Sequence, residues 1–200
     1  MKKKIIITGG LGYIGTELCK LYSGVSWYHK IIVIDNRFIS ERVNQIRNWN
    51  MEFIHGDILD KDIITKYFND ANVVHHLAGI TDVPRTKNES TPDRDKKIKL
   101  VGEVGTQNIL KAINKKCKII FPSTHVIYEG IDKVVKDIKE DEVPKPVLSY
   151  SSSKAINEKQ LKESGKNYII LRLGSVYGYS TDSTRIDIMP NLFSKISSQN

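Results

Sequence analysis

Tyr150 and Lys154 stand four residues apart in Tyr150-Ser151-Ser152-Ser153-Lys154, shortly after Pro146. On a helix that spacing puts both side chains on one face. A phenol of pKa about 10 is a poor base near neutrality unless a cation stabilises its phenolate, and Lys154 is such a cation. The pair occurs often by chance, and a solvated surface pair is the plain alternative. It gains meaning beside Thr8-Gly9-Gly10-Leu11-Gly12-Tyr13-Ile14-Gly15, which joins a β-branched run to a helical one. The early glycines permit a tight turn, and Gly12 lets the backbone approach a pyrophosphate. Gly15 allows a helix to pack closely on a strand, while the helix N-terminus faces the phosphate charge. Asp35 follows 20 residues after Gly15, at the end of the next apolar run. A carboxylate there accepts hydrogen bonds from an adenosine ribose diol and repels a 2′-phosphate. The pattern implies a dinucleotide site that favours NAD over NADP, a preference that the nearby Arg37 softens.

The elements that must position these residues alternate along the chain. Short β-branched runs at 4–8, 31–35, 52–55, 73–77, 118–121 and 168–173 read as strands, the last of them buried. Segments of helical period fall at 13–22, 40–49, 61–68, 94–115 and 150–164, with a further helix at 187–197. Strands apolar on both faces and separated by helices imply a parallel sheet covered on both sides. Pro122, Pro144 and Pro146 are expected in connections, where a missing N–H is cheap. The fold class is therefore α/β, a doubly wound parallel sheet of the Rossmann type.

With 200 residues, 40% apolar and 27% charged, the chain has ordinary globular composition and length for one domain and a small appendage. No apolar run is long enough to span a membrane. Lys2 to Lys4 before Ile5-Ile6-Ile7 imitates a signal peptide, but Thr8-Gly9-Gly10 ends the apolar stretch too early. Thirty-one lysines and arginines against 23 acids give +8, spread over several lysine clusters without interleaved aromatics. That distribution argues for a solvated surface and against nucleic acid. Cys19 and Cys117 are unpaired in spacing, which suits free thiols in a reducing cytoplasm. His75 and His76 face opposite ways on a strand and lack an acidic or cysteine cluster, so no metal is expected.

Taken together, these motifs resemble the extended short-chain dehydrogenase/reductases, the NAD-dependent nucleotide-sugar epimerase and dehydratase family. The resemblance runs from Lys4 to about Tyr179. Thr8 to Gly15 looks like the family's cofactor turn, and Val33-Ile34-Asp35-Asn36 like its ribose-holding strand end. Gly56-Asp57-Ile58 resembles its adenine-contacting turn, and His75-His76-Leu77-Ala78-Gly79 the strand beneath the cofactor. Pro122-Ser123-Thr124-His125-Val126-Ile127-Tyr128 is similar to its Ser/Thr segment, and Leu171 to Gly178 to the segment crossing toward the sugar nucleotide. The resemblance implies that Gly9, Gly12, Tyr13, Ile14, Gly15, Asp35, Asn36, Asp57, Ile58, Leu77, Ala78 and Gly79 bind NAD together with Tyr150 and Lys154. It implies that Thr81, Thr124, His125 and Ser175 meet a nucleotide-sugar substrate.

The mechanism so implied has Thr124 bonding the reacting hydroxyl and Tyr150 removing its proton, while hydride passes to the nicotinamide and a keto-sugar forms. Lys154 lowers the tyrosine pKa and orients the ribose. The alternatives are an NADPH-dependent keto-sugar reductase and a non-catalytic dinucleotide-binding module. His125-Val126 stand where the family's dehydratases carry Asp-Glu, so 4,6-dehydration is not expected. Gly102 and Ser175 replace family asparagines, and Glu129 replaces a glycine. Residues 1–178 are expected to form the NAD-binding domain, and 179–200 the truncated start of a small C-terminal substrate domain. A homodimer built on the helices at 94–115 and 150–164 is a further implication.

Overall fold

A computed structural model describes residues 1–81, 86–180 and 185–199. Six strands lie in one parallel sheet: β1 (Lys4–Thr8), β2 (Lys30–Asp35), β3 (Glu52–His55), β4 (Val73–His76), β5 (Lys118–Thr124) and β6 (Asn167–Leu173). Their order is β3-β2-β1-β4-β5-β6. The chain steps outward from β1 to β3, returns to lay β4 on the other side of β1, then steps out to β6. The direction reverses between β1 and β4, and such a switch point opens a crevice at the carboxyl ends of the strands.

Alternation along β1 builds two hydrophobic layers. Ile6 joins Ile32, Ile34, Val74, Ile119 and Phe121 on one face. Ile5 and Ile7 join Ile31, Val33, Val43 and Ile46 on the other. Helices cover both faces: α1 (Tyr13–Ser23), α2 (Ser40–Asn48), α3 (Lys61–Phe68), α4 (Pro92–Lys99), α5 (Gly105–Ala112) and α6 (Ser149–Glu163). Asp60 caps α3 by accepting the N–H groups of Asp62 at 2.9 Å and Ile63 at 3.3 Å. The short α7 (Met189–Ser197) follows the last described gap. No helix among the described residues is long and apolar enough to cross a membrane.

The structure corrects several sequence expectations. Pro122 lies inside β5, not in a connection. The last partner pair between β4 and β5 is His75 with Ile120, so Pro122 stands beyond the stretch where a donor toward β4 is needed. The strand over 168–173 is not buried: Tyr168, Ile169 and Leu171 are 37–42% exposed. As the last strand in the order, β6 pairs with β5 alone. The segment at 94–115 begins at Pro92, ends at Ala112, and widens into a π-helix over Leu100–Val104. A wider turn misaligns backbone carbonyls, and α6 accommodates two of them. Asn157 Nδ2 donates to Gly102 O at 3.1 Å, and Gln160 Nε2 to Glu103 O at 3.2 Å. The final helix starts at Met189, two residues later than the periodicity suggests.

Candidate functional site

The turn after β1 is fixed by backbone. Gly9 has φ +69°, a left-handed conformation, and its N–H donates to Ile34 O at 2.8 Å. Gly12 N–H returns to Gly9 O at 3.1 Å, and α1 starts at once. A Cβ on Gly15 would lie 2.3 Å from Gly9 O, so helix and turn approach as only glycine permits. From the first turn of α1, the Tyr13 hydroxyl donates to Gly178 O at 2.5 Å and reaches the segment after β6.

Asp35 closes β2 with a carboxylate whose accepting positions are filled. Leu11 N–H donates to Oδ2 and Arg37 N–H to Oδ1, both at 3.0 Å. The Arg37 guanidinium adds Nε to Oδ1 at 3.2 Å and Nη2 to Oδ2 at 3.4 Å. Asn36 Nδ2 donates to Asp57 Oδ2, and Leu59 N–H to Asp57 Oδ1, each at 2.9 Å. Ile58 is buried against Gly105, and its carbonyl accepts from Asn108 Nδ2 at 3.1 Å.

Across the crevice, Ala78 N–H donates to Thr8 Oγ1 at 3.1 Å, which fixes the Leu77-Ala78-Gly79 stretch beside the glycine turn. His76 bridges Thr8 Oγ1 and Thr106 Oγ1 at 3.0 Å on either side of its ring. Burial, aided by the Lys154 charge, pushes the His76 imidazole down to about 3, so it is a neutral strut. His75 points the other way, to the Tyr22 hydroxyl at 2.8 Å. Among the described residues no group of three or more His, Cys, Asp or Glu is placed to hold a metal.

The carboxyl end of β5 carries Thr124, buried, whose Oγ1 accepts Val126 N–H at 3.3 Å as the chain enters a 3₁₀ turn at His125–Tyr128. Tyr150 and Lys154 come from the first turns of α6. Lys154 Nζ donates to Pro122 O at 2.8 Å and lies 4.4 Å from the Phe121 ring centroid and 5.8 Å from that of Tyr150. Burial brings the Lys154 ammonium down to about 8. Lys154 is not among the groups that shift the Tyr150 phenol in this arrangement. Burial pushes the Tyr150 phenol above its usual value, and it is the Arg185 guanidinium that pulls it back. The lysine is turned instead onto the Pro122 carbonyl and the Phe121 face.

All the residues expected to bind NAD or a substrate line one cleft of about 1120 Å³. It crosses the carboxyl ends of the strands, with Asp35 and Arg37 at the end of β2 on one side of β1 and β4, and Thr124 at the end of β5 on the other; Tyr150 of α6 also lines it. Thr81, Ser175 and His125 line it too, and His125 Nδ1 lies 3.2 Å from Leu173 O. The volume exceeds that of a drug-sized pocket, and a glycine cradle at one wall with a carboxylate beyond it fits a dinucleotide.

Sequence reading missed Arg94, Lys97 and Arg185 on the cleft wall. It also missed a buried support behind Thr124: Ser123 Oγ donates to Glu158 Oε1 at 2.6 Å, and Arg172 Nη2 to Glu158 Oε2 at 2.7 Å. The four-residue step from Lys154 to Glu158 on α6 was the available signal, since it continues one helical face.

A family model described as the NAD dependent epimerase/dehydratase family matches residues 5–199. The chain is 31% identical over 186 residues to a putative UDP-glucose 4-epimerase of Methanocaldococcus jannaschii, covering 89% of this chain and 57% of that one. It is 32% identical over 141 residues to the CDP-paratose 2-epimerase of Salmonella typhi, covering 65% and 39%. The chain thus spans about half the length of the curated relatives it matches. Among solved structures, it superposes on the UDP-glucuronic acid 4-epimerase of Bacillus cereus in complex with UDP-glucuronic acid and NAD. That match has a TM-score of 0.75 and 27% identity, over 98% of this chain and 63% of that one. The Thermotoga maritima UDP-glucose 4-epimerase with UDP-glucose gives a TM-score of 0.72 at 26% identity, covering 88% and 56%.

Proposed function

The chain belongs to the NAD dependent epimerase/dehydratase family, and from that premise we propose that it is the cofactor-binding part of an NAD-dependent epimerase or oxidoreductase. It acts on a hydroxyl carbon of a nucleotide-linked sugar through a keto intermediate. The observation that carries this reading is the meeting of Thr124, Tyr150 and Lys154 in the one cleft that the glycine turn and Asp35 also line.

The glycine turn and the first turn of α1 receive the pyrophosphate, and Asp35 with Asn36 the adenosine ribose. When bound, the nicotinamide supplies the redox chemistry, taking a hydride from the sugar carbon and returning it. Thr124 keeps its O–H free to donate, because Val126 N–H occupies the oxygen as acceptor. It therefore orients the reacting sugar oxygen. Tyr150 accepts the proton of that hydroxyl as general base. Lys154 spends one donor on Pro122 O and has two left for a ribose hydroxyl and the phenolate.

The names of the relatives support the reading: a putative UDP-glucose 4-epimerase and a CDP-paratose 2-epimerase are both named for inverting a carbon of a nucleotide-linked sugar. We assign residues 1–178 to cofactor binding and 179–200 to the start of a substrate domain. We further propose a homodimer through the α4–α5 and α6 surfaces, where Leu100, Val104 and Ile156 are exposed, and a cytoplasmic setting for the two reduced thiols. Sedimentation at tens of micromolar, about the range of ordinary interface affinities, tests the dimer.

The deciding experiment is titration of the chain with NAD, followed by incubation with UDP- and CDP-sugars while NADH absorbance is read. NAD binding, with NADH or an epimeric product that Tyr150→Phe abolishes, is expected. Absence of NAD binding overturns the reading.

A further inference from the structure

The parallel sheet has an amino edge opposite the cleft, and the fold gathers positive charge there. Lys4 of β1 is level with Lys30 of β2, and Val73 of β4 is level with Lys118 of β5. Asn72 N–H donates to Lys4 O and Lys118 N–H to Asn72 O, both at 2.9 Å, which sets these strand starts in one row. At about 4.8 Å per strand, the starts of β2 and β5 stand about 15 Å apart. The clusters at Lys2 to Lys4 and Lys115 to Lys118, distant in sequence, therefore share one edge. Lys4 and Lys30 have carboxylate partners in Asp70 and Glu52. Lys2, Lys3, Lys115, Lys116 and Lys118 are exposed, and among the described residues no carboxylate lies within ion-pair distance of them.

An aromatic turn adjoins this edge. Between α1 and β2, Val25, Trp27 and Tyr28 are exposed, Trp27 by 75%. The Tyr28 ring centroid lies 5.6 Å from that of Trp27 and 4.9 Å from that of His29, and His29 Nδ1 accepts the Lys3 N–H at 3.2 Å. The turn is thus pinned to the lysine row. The Trp27 indole N–H donates to Gly24 O at 3.1 Å, so the ring can leave water without stranding a donor. We infer that this edge is a docking surface for an anionic lipid bilayer, with the lysines at its phosphate headgroups and Trp27 in the boundary of its acyl chains.

Aromatic rings beside lysines suit a charged interface, because the ring enters the acyl boundary while the ammonium groups stay at headgroup level. The helix macrodipole accounts for Lys20 and Lys111 in the last turns of α1 and α5. It does not account for lysines that stand before and at the strand starts. Each lysine near an anionic leaflet strengthens attachment by about fivefold, so several on one edge act where one would be marginal. A single-stranded nucleic acid needs aromatic faces spaced along the track of its backbone, whereas the two rings here sit together at one end of the row. The cleft opens at the carboxyl ends of the strands, so a chain docked by its amino edge keeps the cleft toward water. The inference goes beyond the proposed function and does not rest on it.

The test is sedimentation of the full chain with vesicles of phosphatidylcholine alone and of phosphatidylcholine mixed with phosphatidylglycerol, at low and high salt. Binding to the anionic vesicles alone is expected, weakening as salt shortens the screening length, with tryptophan emission shifted to the blue. Lys115→Gln combined with Lys116→Gln should weaken that binding by about tenfold or more. Trp27→Ala should weaken it as well and abolish the emission shift, since Trp49 packs against the core. The lysine variant keeps the inference open to refutation should Trp27→Ala fail to fold. Equal binding to both kinds of vesicle, or binding to neither, overturns the inference. So does a lysine variant that binds as the wild type does, or an unshifted emission in the bound wild type. Salt-sensitive binding of a single-stranded oligonucleotide without sedimentation on vesicles would assign the edge to nucleic acid and overturn it too.

Discussion

Glu129 Oε1 accepts the backbone N–H of Leu148 at 2.7 Å, and the same oxygen takes Val147 N–H at 2.8 Å and the Ser151 hydroxyl. Glu129 itself closes the 3₁₀ turn that begins after Thr124, donating its N–H to Val126 O at 3.1 Å. One side chain therefore joins the segment carrying Thr124 to the start of α6, which carries Tyr150. It works because the first N–H groups of a helix lack partners and favour a negative charge. Glu129→Ala is expected to lower stability by about 1 kcal/mol, near the value of an exposed cap, and the melting temperature by about 2–4 °C. Glu129→Gln, which keeps an acceptor oxygen, should fall between. An unchanged melting curve for the alanine variant would show that water serves these donors equally well.

Lys154 gives a pH signature. Its ammonium is brought from 10.5 down to about 8 by burial, so the folded chain releases this proton before the unfolded chain does. Its favourable contribution is complete above the unfolded value and is lost as pH falls through the folded one. Wild-type stability measured relative to Lys154→Met should therefore rise between about pH 8 and 10.5. Urea unfolding at several pH values reads this difference, which cancels the titration of every other group. A flat difference would mean that the ammonium stays fully solvated in the folded chain.

The fold was legible because its strands are β-branched runs and its turns carry glycine at the positions where the backbone demands it. Gly9 and Gly15 have steric reasons that a sequence states directly. Three things were not legible, each for a physical reason. The run at β6 is as apolar as the inner strands, and composition does not say that a strand lies at the edge. Pro122 argues against a strand unless the neighbouring strand is known to end two residues earlier, at the His75–Ile120 pair. At the site, the spacing of Tyr150 and Lys154, and the family resemblance that adds Thr124, named residues that line one cleft, but the direction of the Lys154 ammonium depends on the Pro122 carbonyl. That contact spans 32 residues of sequence and has no local signal.

The two thiols should be silent in the folded protein. Burial and the neighbouring Asp35 charge push Cys19 up to about 12, and burial pushes Cys117 up to about 11. Both side chains are 0% exposed, and only the thiolate reacts. A disulfide reagent at pH near 8 is expected to modify neither cysteine until denaturant is added, and then both. Because the folded values are raised, the thiols' contribution to stability is full below the ordinary value of 9.0 and is lost as pH climbs through about 11 to 12. Rapid labelling of the native chain would show that the layer holding Cys19, or the end of α5 near Cys117, opens readily.

Glu158 and Arg172 form the support behind Thr124, and removing one partner should cost far more than removing both. Burial alone would raise the Glu158 carboxyl, but hydrogen bonds from Arg172 and Ser123 outweigh it and hold the group below its ordinary value of 4.5. Its stabilisation is therefore present above that value and lost as pH falls through the lower, folded one. Arg172→Leu leaves a buried carboxylate with Ser123 and, at 3.9 Å, the ammonium of Lys162. A loss of about 3–5 kcal/mol is expected, with acid unfolding starting at higher pH than in the wild type. Arg172→Leu combined with Glu158→Leu removes the stranded charge and should recover much of that loss, since a buried pair and an apolar replacement are often close in energy. Additive losses in the double variant would mean that the two residues act independently, and that the 2.7 Å contact between them holds nothing in place.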